Sequence, residues 1–335
     1  MSDSLRHRFL PWGFVCSRRN WCLAVTLLIY ALAGTAAAQA PATSPGQGPN
    51  QKPATAAATD ALAHARMLLD SDNLAEAFSL VKAYLQKHPQ TPDAHALMGL
   101  ILYRQRQPRA SMAEYLKASE SADLSAFDLR IFALDCAAIP DLPEAEKWLL
   151  RSIEKDDRDA ATWEALGHVR FSSQQYEAAI ESLEHALQLV PRTVSAESLI
   201  GLANERLARP DVAETAYRTA IQWQAGRKEK DAVPLVGLGR VLLGNNQPEE
   251  AIPWLQQAAK IPPPSSEVHE LLGLAYSKTA RETEAAKELE TAVRLQPDSA
   301  RLHLMLGRTY RSLGAKEKAD GELAQYAKLK GNGVQ

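Results

Sequence analysis

Small residues recur along this chain at an interval of 34, and that period limits the fold more than any other feature. In the stretch ATWEALGHVRFSSQQYEAAIESLEHALQLVP, Gly167 is followed by Ala179, Ala186 and Pro191. One period later stand Gly201, Ala213 and Ala220. Four extra residues precede Gly239, Ala251, Ala258 and Pro263; the register then continues through Gly273, Ala285, Ala292 and Pro297 to Gly307 and Ala319. Backwards it passes through Ala133 and Ala145, Gly99 and Ser111, and Ala65 and Ala77. Self-similarity at this spacing means stacked supersecondary units, each too small to bury its apolar face alone. The units fall at 58–91, 92–125, 126–159, 160–193 and 194–227, then, after an insert at 228–231, at 232–265, 266–299 and 300–333.

Glycine within a helix costs about 1 kcal/mol relative to alanine. Six recurrences at one position therefore need an offsetting reason, and close approach of two helix backbones supplies one. The two exceptions, Ala65 and Ala133, carry the next smallest side chain. Four positions beyond each small residue of the partner helix sits a large knob: Val81, Tyr115, Leu149, Leu183, Tyr217, Leu255, Leu289 and Leu323. Another large apolar residue immediately precedes each glycine or alanine, as at Met98, Phe132, Leu272 and Leu306, with His64 the exception. Burying one such side chain contributes about 1.5–3 kcal/mol.

The run Trp163, Leu166, Gly167, Ala179, Leu183, Ala186, Pro191 resembles the tetratricopeptide repeat family, and so does Leu272, Gly273, Tyr276, Ala285, Leu289, Ala292, Pro297. The resemblance covers 58–333 and implies an all-α fold, a right-handed α–α superhelix (solenoid) of about eight helix–turn–helix repeats. It also implies a concave groove lined by the first helix of each unit, binding a protein or peptide. The family's groove positions fall here on Leu100, Tyr103, Arg104, Phe127, Arg130, Leu134, His168, Phe171, Leu202 and Arg206. An apolar floor edged with arginines suits an extended or amphipathic peptide with acidic residues. The bland reading is that the leucines complete the stack and the arginines are solvated. The co-chaperone branch of the family grips a C-terminal carboxylate with lysines and asparagines. Arg66, Leu97 and Arg130 stand in those places, so that ligand is not supported.

Proline marks the turn inside several units, at Pro108, Pro210 and Pro248, where a missing N–H costs little at a helix start. Pro253 lies deeper in a second helix and predicts a distorted first turn. Lys316, Glu317, Lys318, Asp320 and Glu322 make the last helix polar enough to cap the stack. Lys228 to Asp231 reads as a lengthened loop or as a hinge between five units and three.

Ahead of the repeats, Arg6, Arg8, Arg18 and Arg19 precede the apolar run WCLAVTLLIYALA and then GTAAAQA. A basic head, a short apolar core and a small-residue end make a secretory signal peptide over 1–40, cut near Ala38 or Ala40. Thirteen apolar residues rise only about 20 Å as a helix, less than the hydrocarbon core of a bilayer. The expected location is periplasmic or secreted, with membrane anchoring by an uncleaved segment as the alternative. Residues 41–57 are rich in proline and alanine and predict a disordered linker.

Nothing else in the chain points to chemistry. A formal charge of -2 gives no reason to expect nucleic acid. His269-Glu270-Leu271-Leu272-Gly273 lacks the second histidine of a zinc-protease helix, so no metal is expected. Gly237-Leu238-Gly239 lies within a predicted helix and has Leu242 where a dinucleotide loop needs its third glycine. Cys136 reads as a core thiol. The sequence therefore predicts a non-catalytic scaffold or assembly factor, without cofactor, binding peptide segments outside the cytoplasm. The alternative is a dedicated non-catalytic subunit of an envelope enzyme complex, for polysaccharide synthesis or secretion or for cytochrome maturation.

Overall fold

In a computed structural model, residues 53–263 and 265–332 are described, and among them every regular element is helical. The expected signal peptide and residues 41–52 of the expected linker lie outside the described residues. Residues 53–57, assigned to that linker, instead open the first helix: Pro53 stands at its first position and an alanine-rich run of high helix propensity follows. The helices pair in chain order: α1 (Pro53–Asp70) with α2 (Leu74–Lys87), α3 (Pro92–Arg104) with α4 (Pro108–Ser121), and α5 (Ala126–Ala138) with α6 (Leu142–Lys155). Next come α7 (Ala160–Ser172) with α8 (Tyr176–Leu189), α9 (Val194–Arg206) with α10 (Pro210–Trp223), and α11 (Val233–Gly244) with α12 (Pro248–Ala258). The last pairs are α13 (Ser266–Lys278) with α14 (Glu282–Leu295) and α15 (Ala300–Ser312) with α16 (Lys316–Asn332).

The recurring glycine receives the recurring knob. A Cβ on Gly99 would lie 2.7 Å from the Tyr115 ring, and one on Gly167 would lie 2.6 Å from Leu183. Gly201 meets Tyr217, Gly239 meets Leu255, Gly273 meets Leu289 and Gly307 meets Leu323 in the same way. The close approach expected of two backbones is thus made by one side chain of the second helix, driven into a bare spot on the first. That insertion locks the two helices of a hairpin in register.

Between the two helices the chain reverses through a left-handed residue. It recurs at Asp72, Arg106, Gln174, Ala208, Asn246, Ala280 and Gly314, with φ from 54° to 73°. Side-chain caps begin several helices: the Ser125 Oγ accepts from the Asp128 amide at 3.1 Å, and Asp159 Oδ1 from the Ala161 amide at 3.1 Å. Helix α12 runs through Pro253 without a break and, at 11 residues, is the shortest helix described.

The chain divides into two compact units, one ending at Asp157 and the other beginning at Arg158. The first holds three described hairpins and the second holds five. The division does not fall at the 228–231 insert. There, α10 and α11 pack against each other, and Gln224, 3% exposed, clasps the insert by donating to the Asp231 carbonyl and accepting from its amide.

Candidate functional site

In the unit ending at Asp157, the first helices α1, α3 and α5 lie side by side and carry six of the groove residues. Phe127, at the second position of α5, is 43% exposed. The Arg130 guanidinium lies 5.2 Å from the centre of its ring, within reach of a cation–π contact, although Arg130 itself is only 5% exposed. Arg104 is exposed and donates from Nη1 to the Leu69 carbonyl at 2.8 Å, tying the end of α3 to the end of α1. Leu100 is half-buried, and Tyr103 and Leu134 are buried. Burial raises Asp128, with Arg66 opposing the shift and Asp93 adding to it. Of these six residues, Phe127 and Arg104 are exposed and Leu100 is half-buried.

In the unit beginning at Arg158, His168 and Phe171 are buried, Leu202 is half-buried and Arg206 is exposed. Burial pushes His168 down to about 4, so its ring is neutral, and its Nε2 has no hydrogen-bond partner. The Phe171 ring meets the Tyr176 ring edge-on at 5.4 Å. Neither side chain faces a ligand as it stands.

The same unit holds a polar ladder that runs from first helix to first helix. The Ser195 hydroxyl donates to Glu164 at 2.5 Å, joining α7 and α9. Arg240 donates to both oxygens of Glu205 at 2.9 and 3.0 Å, joining α9 and α11, and to Glu267 at 2.9 Å, joining α11 and α13. Arg301 pairs with Glu270 at 2.7 Å, joining α13 and α15. Burial opposes the charge on Arg240, but its two carboxylates more than offset that and hold it above the ordinary arginine range. Burial also raises Glu164 and Glu270. The signal lay in the repeat register: Glu164 with Ser195, and Glu270 with Arg301, occupy the same two positions of successive units.

Histidine repeats as well. His95 Nδ1 lies 2.6 Å from Glu114, His269 Nδ1 2.7 Å from Glu288, and His303 Nδ1 2.6 Å from Glu322. His95 and His303 also hold the Pro89 and Pro297 carbonyls with Nε2, at 2.9 and 3.0 Å. These are clasps between the two helices of a hairpin, extended in two cases to the preceding connector. Cys136 is buried, and burial pushes its thiol up to about 12, which leaves it unreactive at neutral pH.

The family profile described as tetratricopeptide repeat matches residues 164–230 and 270–332. The Protein FlbA of Caulobacter vibrioides is 27% identical over 137 residues, which is 36% of this chain and only 22% of that protein's length. Among solved structures, a tetratricopeptide repeat protein from Parabacteroides merdae superposes with a TM-score of 0.57 at 16% identity, covering 75% of this chain and 98% of its own. The Pseudomonas aeruginosa protein pilF superposes with a TM-score of 0.55 at 20% identity, covering 65% of this chain and 98% of its own. Such low identities speak to the fold.

Proposed function

This chain belongs to the tetratricopeptide repeat family, and from that premise we propose that it binds peptide segments of other proteins on its first-helix face, outside the cytoplasm. Repeats of this kind are protein–protein interaction scaffolds, and a preformed surface of packed hairpins loses little conformational freedom on binding. The observation that carries the reading is Phe127, an aromatic ring left 43% exposed on α5 beside Arg130. Exposed aromatic and arginine side chains are the usual anchors of a binding surface. Leu100, Leu202 and Arg206 extend the same face within their own units. Location outside the cytoplasm rests on residues 1–40, whose basic, apolar and small-residue segments follow the order of an export signal.

A photo-crosslinking side chain at position 127 of the full chain should capture peptide from a partner in cells. The same group in place of Leu116, 48% exposed on the second helix α4, should not. Equal capture from both positions, or capture from Leu116 alone, removes the first-helix face from the proposal. N-terminal sequencing of the same material should begin just after Ala38 or Ala40; an intact Met1 in the soluble fraction removes the export reading.

A further inference from the structure

Two inter-hairpin connectors, the insert and the proline run after α12, meet at one cavity. The insert supplies Lys228, Glu229 and Lys230 on one wall, and the connector after α12 supplies Lys260, Ile261 and Pro262 on the other, with Leu235 of α11 at the floor. The volume is about 540 Å³, within the range of sites that hold small organic ligands. The four-residue insert departs from the 34-residue pattern; the connector after α12 keeps that spacing but carries three prolines, Pro262 to Pro264. The insert is held in place by the Gln224 clasp on Asp231 and by the Val233 amide, which donates to Asp231 Oδ1 at 2.8 Å.

The charges at the rim are unbalanced. Three ammonium groups stand against the single carboxylate of Glu229, and among the described residues no acidic side chain lies within ion-pair distance of Lys228, Lys230 or Lys260. Elsewhere in this unit two helix arginines are each held by two carboxylates, Arg218 by Glu214 and Glu250, and Arg240 by Glu205 and Glu267. Lysine suits such a site: a point charge on a flexible stem accommodates several carboxylates without demanding one planar geometry. The floor is apolar, since Leu235 is 2% exposed and Ile261 half-buried.

We propose that this cavity is a binding site for an acidic peptide segment in which carboxylates flank one apolar side chain. The carboxylates meet the three lysines, and the apolar side chain rests on Leu235, Ile261 and Pro262. The site sits on inter-hairpin connectors, separate from the first-helix face, so either can fail without the other. It gives the insert a role that spacing alone does not.

The test is fluorescence anisotropy of the full chain with a labelled synthetic peptide of two glutamates, one leucine and two glutamates, at low salt, where exposed ion pairs are least screened. Binding should weaken about tenfold or more when Lys228→Gln, Lys230→Gln and Lys260→Gln are combined. It should be unchanged by Lys316→Gln with Lys318→Gln on α16, which removes comparable charge elsewhere. Replacing the peptide's leucine by serine, or making Ile261→Ser, should weaken binding about threefold. All four substitutions at the cavity lie on side chains that are exposed or half-buried, and circular dichroism checks that helix content is kept. Failure of the peptide to bind, or indifference to the three glutamines, overturns the proposal. Indifference to the leucine, or displacement by inorganic pyrophosphate at equal concentration, makes the cavity a bare cation patch and overturns it as well.

Discussion

The ring of Tyr217, on α10, lies against Gly237 of α11 so closely that a Cβ on the glycine would overlap it. The other side of the same ring covers Gly201 on α9, where a Cβ would lie 2.8 Å away. One side chain is thus wedged between two first helices of successive hairpins, and its hydroxyl donates to Glu205. The pair Gly237-Leu238-Gly239, which in another setting opens a phosphate loop, serves two knobs here. Gly237 receives Tyr217 from the preceding hairpin, and Gly239 receives Leu255 from its own.

Gly237→Ala should therefore destabilise the chain by about 1–3 kcal/mol, the usual cost of forcing extra volume into a packed contact. Gly244→Ala, at the end of the same helix, has open space around the new methyl and should be neutral or stabilising by up to about 1 kcal/mol. Urea denaturation followed by helical circular dichroism compares the two. Equal effects would mean that the Tyr217 contact does not constrain α11.

The period of small residues and knobs was legible because hydrophobic packing repeats faithfully, from Val81 to Leu323. The turns were not. Their left-handed residue keeps the same 34-residue spacing, but only Gly314 is a glycine; the others are Asp72, Arg106, Gln174, Ala208, Asn246 and Ala280. Tertiary packing of the hairpin imposes the conformation whatever the side chain, so no composition signal survives. The groove was half legible. Of the family positions, Phe127 and Arg104 are exposed, whereas Tyr103, Arg130, Leu134, His168 and Phe171 are buried, which the positions alone could not tell. Burial at those positions depends on the neighbouring side chains, which differ from unit to unit. The ladder through Arg240 went unseen because its partners lie 35 and 27 residues away, on either side of the nominal period.

Asp135, on α5, is fully buried, and burial pushes its carboxyl up to about 8. The nearby Ser111 hydroxyl opposes this, but its proton is donated to the Gly99 carbonyl at 2.8 Å, and neither Asp135 oxygen has a hydrogen-bond partner. Between the ordinary aspartate value of about 3.9 and 8, the folded chain holds a proton that the unfolded chain has released. Stability from this group is complete below the lower value and declines as pH rises through the window. Asp135→Asn keeps the neutral shape and removes the titration. It should match the parent near pH 4 and exceed it by up to several kcal/mol at pH 8, an upper limit that follows from about 1.4 kcal/mol for each pH unit separating the folded and unfolded values. Hydrogen exchange of peptides covering 126–138 reads the effect locally. A parent whose protection there does not change between pH 4.5 and 8, after correction for intrinsic exchange, contradicts a protonated Asp135.

Arg240 is the joint of the polar ladder, and its two partners differ in burial. The Glu205 side chain is 17% exposed and also accepts the Tyr217 hydroxyl, whereas the Glu267 side chain is 55% exposed. A carboxylate out of water depends on its cation far more than one in water does. Arg240→Leu should therefore cost about 2–3 kcal/mol, because it leaves the Glu205 charge with the tyrosine alone. Glu267→Gln should cost under about 1 kcal/mol and lose its effect at high salt. Combining Arg240→Leu with Glu205→Gln should recover part of the loss, since the stranded charge is removed along with its partner. In a double-mutant cycle by urea denaturation, the expected coupling is about 1–2 kcal/mol for the Glu205 pair and near zero for the Glu267 pair. Equal couplings would mean that both carboxylates face water alike, and that Arg240 bridges α9 and α13 without preference for either.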